Sequence, residues 1–177
     1  MTFEPCDLEG VRLIEFPRFA DQRGEFIKTF QATLFAEHGI EFHLAEQFFS
    51  TSKAGVLRGL HFQIPPFDHA KLVFCLTGRI LDVVVDLRKS SPAFGKFAAF
   101  TLDAEKAHGL FIPSGFAHGF YAETDATVFY NVSSVHQPSA DAGIHWQSIG
   151  YPWPNDAPII SERDRKFPAL EAFQSPF

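Results

Sequence analysis

Lys71-Leu72-Val73-Phe74-Cys75-Leu76-Thr77-Gly78-Arg79-Ile80-Leu81-Asp82-Val83-Val84-Val85-Asp86 is two extended apolar runs joined by a turn. Both runs are rich in β-branched and apolar residues and are too short for typical helices, so both read as strands. Thr77-Gly78 at the junction reads as a tight hairpin. The same pattern extends in both directions. Val11–Phe16, Phe26–Phe30, His43–Ser50, Gly55–Gln63, Phe97–Leu102, Gly109–Ile112, His118–Ala122 and Thr127–Ser134 are further candidate strands. Pro65-Pro66, Ser91-Pro92, Pro113-Ser114-Gly115 and Glu123-Thr124-Asp125 separate them as turns. Phe19–Gly24 is turn-like, and Leu34–Gly39 reads as a short helix stopped by its glycine. From Gln137 onward Pro138, Pro152, Pro154, Pro158 and Pro168 break any regular run. That stretch, 137–177, is expected to be loop-rich, with short helical turns wrapping the β core. Short strands at this spacing imply an all-β sandwich, jelly roll or barrel with short peripheral helices. The 177 residues suit one domain spanning 1–177.

The net charge of -6, with no basic tail, argues against a general nucleic-acid binder. Cys6 and Cys75 are too few for a zinc site or a disulfide framework. Met1–Pro5 lacks the charged and apolar regions of a signal peptide, and no apolar run is long enough to span a membrane. A cytoplasmic protein with no membrane partner is therefore expected. The 22 Phe residues suit a packed β core or an aromatic-lined cavity.

Polar residues inside apolar strands need a reason. Val56-Leu57-Arg58-Gly59-Leu60-His61-Phe62-Gln63 places a cation, an imidazole and an amide in such a run. Burying them costs free energy unless each finds a partner. The strand therefore borders a polar cavity or turns these groups to solvent. Arg58 and His61 are three apart, so a regular strand would send them to opposite faces. A bulge at Gly59 could bring both into one cavity. Lys71 at a strand start, Tyr130 inside Val128–Val132 and the charged run Ser161-Glu162-Arg163-Asp164 each have bland readings of their own: a solvated amine, a rim phenol, a turn or helix start.

Gly55-x5-His61-x-Gln63 and Pro113-x-Gly115-x2-His118 are similar to the two short motifs of the cupin superfamily. The corresponding metal set would be His61, Gln63, Asp68 and His118. An amide stands there in a slot normally filled by imidazole, which argues against a metal. A metal-dependent oxygenase or isomerase is the alternative reading that this set keeps open.

Taken together, Asp21-x-Arg23-Gly24, Val56–Gln63, Lys71-Leu72-Val73, Val83–Pro92, Ile112–Phe120 and Ile160-Ser161-Glu162-Arg163-Asp164 resemble, in order, the motifs of the dTDP-4-dehydrorhamnose 3,5-epimerase family. The resemblance covers residues 10 to 168. It implies a cupin-like jelly roll, a nucleotide-sugar substrate, no cofactor or metal, and a homodimer in which N-terminal strands, about 1–30, cross to the partner. It implies proton abstraction beside a ketone, with His61 as base. Asp164 would orient the imidazole, Lys71 would face the enolate oxygen, and Tyr130 would return the proton. Arg23, Arg58, Gln63 and His118 would contact substrate, with Arg23 given to the other subunit's pyrophosphate site. Two stretches depart from the family pattern. Glu46 and Phe48 stand where family members carry Gln and Asn, and Val135-His136 stands where they often carry paired tyrosines. Glu46 and His136 are thus candidate contacts that would differ from the usual ones. The nucleotide base, and whether carbon 3, carbon 5 or both invert, stay open. So does a non-catalytic sugar-nucleotide binder on the same scaffold.

Overall fold

The computed structural model describes residues 1–177. Thirteen strands occur: β1 Thr2–Pro5, β2 Arg12–Glu15, β3 Arg18–Asp21, β4 Gly24–Ile27, β5 Glu46–Ser52, β6 Leu57–Gln63, β7 Lys71–Thr77, β8 Arg79–Asp86, β9 Phe97–Asp103, β10 His108–Ile112, β11 Phe116–Ala122, β12 Ala126–Val132 and β13 Asp141–Gly143. Two short helices are added, α1 at Ala32–Glu37 and α2 at Glu162–Arg165. A six-stranded sheet, β1-β2-β10-β7-β12-β5, faces a five-stranded sheet, β13-β6-β11-β8-β9. The pairings within both are antiparallel. This is the all-β jelly-roll sandwich expected from the alternating runs.

Three expectations need correction. Phe19–Gly24 is not merely a turn, because β3 and β4 form a separate two-stranded ribbon with the turn at its tip. β1 and β13 were not anticipated, since strands of four and three residues carry no usable alternation. The strand ends also shift by one to three residues, as at β5, which starts at Glu46 rather than His43.

The period of two along each strand sorts side chains between the core and the outer faces. Val73 and Cys75 of β7, Val128 and Tyr130 of β12, Ile80 and Val84 of β8, and Phe116 and Phe120 of β11 meet between the sheets. The intervening Leu72 and Phe74 face outward and are covered by Phe35 of α1 with Ile40 and Phe42. Val83, Val85 and Ala117 face outward from the other sheet, beneath Ile144, Trp146, Ile149 and Trp153. On the inward rows the same alternation continues from the apolar core to polar residues: Lys71 after Val73, Asp82 between Ile80 and Val84, and His118 between Phe116 and Phe120. One end of the sandwich interior is therefore polar.

Candidate active site

β6 brings Arg58 and His61 to the same cavity by an irregularity in its pairing with β11. His118 lies opposite His61 and Phe120 opposite Arg58, so three steps on β6 match two on β11. The extra residue is the expected bulge. It is centred on Gly59, whose φ of 138° is a conformation that favours glycine. Gly119 must also be glycine, because a Cβ there would sit 2.7 Å from the Arg58 carbonyl oxygen and 2.9 Å from Gly59 Cα. The two backbones touch, and the bulge turns Arg58 inward.

The resulting cavity, about 300 Å³, is lined by Arg58, His61, Lys71, His118, Tyr130 and His136, with Phe48, Ser50, Gln63, His69, Asp141 and Arg163 among the other walls. His61 Nε2 lies 2.9 Å from Asp164 Oδ1. The other carboxylate oxygen of Asp164 accepts the Gly59 N–H at 3.1 Å. Asp164 is carried by α2, whose N-cap Ser161 accepts the Asp164 N–H at 3.0 Å. Burial raises the Asp164 carboxyl, but the bonds from His61 and Gly59 outweigh it and leave the group below the usual carboxylate range. An ionised carboxylate only accepts, so Nε2 of His61 carries the proton and Nδ1 presents its lone pair. Phe167 packs edge-on to this ring at 5.7 Å.

Lys71 is buried and its ammonium donates to the His61 carbonyl at 3.1 Å. Burial pulls its pKa down to about 8, against the attraction of Asp82 and Asp141. Tyr130 is also buried, and burial pushes its phenol well above the ordinary value. Ser50 lies beside the phenol and partly offsets that rise, although its buried hydroxyl makes no hydrogen bond of good geometry. His118 is bound through Nε2 to Asp82 at 2.8 Å. Burial lowers the His118 pKa despite Asp82, so the pair is a neutral imidazole held by a buried carboxylate. Arg58 reaches into the cavity from two anchors, Ser52 Oγ and the Thr51 carbonyl, each 2.9 Å away.

Four of the named residues stand apart from the central constellation. Gln63 borders the cavity, but its amide donates to the Phe67 carbonyl at 2.7 Å and accepts the Gln137 N–H at 2.6 Å. It ties two loops together at the cavity wall. Asp68 accepts a hydrogen bond from Ser114 and does not line the cavity. The ligand set His61, Gln63, Asp68 and His118 is therefore not assembled. Glu46 accepts the His136 N–H at 2.6 Å, so its carboxylate closes a loop beside the cavity, in a recess shared with Phe48, His69 and His136. Arg23 lies at the tip of the β3–β4 ribbon, paired only with Asp21, and is outside its own chain's cavity.

Asp82, buried behind His118, was not singled out from the sequence, although a lone acid in the run Leu81–Val85 is a signal. The wall residue His69 had no such signal. Its Nδ1 contacts Gln63 at 3.0 Å, and burial, aided by Lys71 and His118, lowers its pKa to about 3. Arg163 closes the rim, doubly bonded to Asp141 at 2.7 and 3.2 Å.

A family model described as dTDP-4-dehydrorhamnose 3,5-epimerase matches residues 5–172. A dTDP-4-dehydrorhamnose 3,5-epimerase of Shigella flexneri is 40% identical over 168 residues, 93% of each chain. A crystal structure of a dTDP-6-deoxy-D-glucose-3,5-epimerase from Legionella pneumophila, in complex with dTDP-4-keto-L-rhamnose, superposes with a TM-score of 0.93 at 32% identity, covering 98% of this chain and 94% of that one. A 3'-monoepimerase from Streptomyces bikiniensis in complex with dTDP-quinovose superposes with a TM-score of 0.89 at 33% identity, covering 94% and 87%. No helix is long and apolar enough to cross a membrane.

Proposed function

The chain belongs to the dTDP-4-dehydrorhamnose 3,5-epimerase family, and from that membership we propose how its cavity epimerises a dTDP-linked 4-keto-6-deoxy sugar at carbon 3, carbon 5 or both. The observation that carries the reading is the His61–Asp164 pair opening onto the same cavity as Lys71 and Tyr130. Protons on the carbons flanking the ketone are acidic because the carbanion delocalises into an enolate. His61 Nδ1 takes such a proton, and Asp164 steadies the imidazolium that results. The Lys71 ammonium stands where negative charge grows on the carbonyl oxygen. Its low pKa keeps its proton acidic enough to bond strongly to that oxygen. Tyr130 keeps its proton at rest and delivers it to the carbanion on the face away from His61. Abstraction and return move one proton each and no electrons, so no cofactor enters the scheme.

Arg58 supplies the fixed cation for sugar or diphosphate oxygens. The β3–β4 ribbon supports a homodimer in which Arg23 serves the partner's cavity. Phe19 and Phe26 on it are 59% and 62% exposed, an apolar pair that a second subunit would cover.

The test is a panel of dTDP-, CDP-, GDP- and UDP-linked 4-keto-6-deoxy sugars incubated in deuterated water and followed by NMR. Deuterium is expected to enter the dTDP sugar at the flanking carbons. Wild-type exchange by His61→Ala, or no exchange with any sugar, would overturn the reading.

A further inference from the structure

We propose that Phe48 is a positioning residue for Tyr130, holding the phenol in the orientation from which it returns a proton. This rests on the assignment of Tyr130 as proton donor. Phe48 on the edge strand β5 lies directly opposite Tyr130 on β12. Their rings stack at 4.8 Å between centroids and 18° between planes. The other aromatic neighbour of the phenol, His118, meets it edge-on, at 6.3 Å and 73°. The neighbouring Ser50 Oγ is close enough to act on the phenol but makes no hydrogen bond of good geometry, so it holds the hydroxyl only weakly. The stack on Phe48 is therefore the face-to-face contact that sets the tilt of the ring.

The exposures of the pair support the same reading. Tyr130 is 8% exposed and Phe48 is 44% exposed, so Phe48 stands between the phenol and water on the open side of the sheet. Phe48 also borders both the main cavity and the recess beside it. A small or polar residue in its place would let water reach the phenol and would free the ring to tilt. Abstraction at His61, on a different strand and sheet, would be little affected. Return of the proton to the opposite face would suffer, and the carbanion would more often be reprotonated by the base that made it.

The experiment compares inversion with solvent exchange for the dTDP-linked 4-keto-6-deoxy sugar in deuterated water. Phe48→Ala and Phe48→Leu are measured beside Phe48→Tyr and Tyr130→Phe. Loss of the stack in the Ala and Leu variants should lower the ratio of inversion to exchange by about 3- to 10-fold. Phe48→Tyr keeps a stacking ring and should restore the ratio. Ionisation of Tyr130, read as the ultraviolet difference between each variant and its Tyr130→Phe derivative, should move to lower pH in Phe48→Ala and stay put in Phe48→Tyr. An unchanged ratio and an unchanged titration in Phe48→Ala and Phe48→Leu overturn the inference alone, provided Tyr130→Phe has lost inversion. If Tyr130→Phe inverts at the wild-type ratio, the assignment of the proton donor fails and this inference falls with it.

Discussion

Replacing Lys71 by Met should make the protein more stable while removing most of its activity. The Lys71 side chain is buried, and its pKa falls from 10.5 to about 8. That drop corresponds to a cost of about 3 kcal/mol for holding the charged amine in the fold. The sign follows from proton counts. Between pH 8 and 10.5 the unfolded chain holds this proton and the folded one does not, so stability rises with pH across that window. Below pH 8 both states hold it and the full cost is present. Met has similar length and no charge, so it removes the cost. It also strands the His61 carbonyl that the ammonium bonds at 3.1 Å, a loss of about 1–2 kcal/mol. The variant should thus gain about 1–2 kcal/mol at pH 7. Urea unfolding of both proteins at pH 7 and pH 9.5 measures this, with the gain shrinking or reversing at the higher pH. Exchange of the sugar's protons should fall by about 100-fold or more, as when an oxyanion donor is lost. A variant less stable at pH 7, or a difference identical at both pH values, would refute the reasoning that Lys71 is a charge buried at the expense of stability.

Further expectations concern the same constellation. In the wild type, proton exchange should decline above pH 8 as Lys71 loses its proton, and Lys71→Arg should move that decline to higher pH in a pH–rate profile. Asp164→Asn removes the carboxylate that fixes the His61 tautomer, so kcat should drop by about 100- to 10,000-fold with the circular dichroism spectrum retained. Gly119→Ala drives a methyl against the backbone of Arg58 and Gly59, at 2.7 and 2.9 Å. Calorimetry should show a loss of about 1–3 kcal/mol, and Arg58 should bind substrate more weakly because the bulge that aims it is displaced.

The long central strands were legible because burial between two layers writes itself into sequence as alternation. β7 and β8 are the clearest cases: Val73 and Cys75 face in, Leu72 and Phe74 face out. β1, β3 and β13 were not legible, because three or four residues hold at most two cycles of that pattern. Their strand state comes from the partner strand, as when Asp141–Gly143 pairs with Gln63–His61. For the site, Arg58, His61, Lys71, His118 and Asp164 could be named from motifs in order, and Tyr130 from its place in the strand Val128–Val132. The amide of Gln63 illustrates the limit, since it bonds Phe67 and Gln137, contacts made by loops that no local pattern describes.

The amino-acid sequence by itself determined the all-β class, the polar residues embedded in apolar strands, and the family those residues resemble. Each of these is a matter of local periodicity or of residue order along the chain. Tertiary structure alone decided that Asp164 reaches His61 across 103 positions, that the Gly59 bulge turns Arg58 into the same cavity, and that Phe48 lies flat on Tyr130. These depend on strand register and on how α2 packs against β6. Side-chain contacts of a few ångströms follow from the summed geometry of the fold rather than from any one stretch of it.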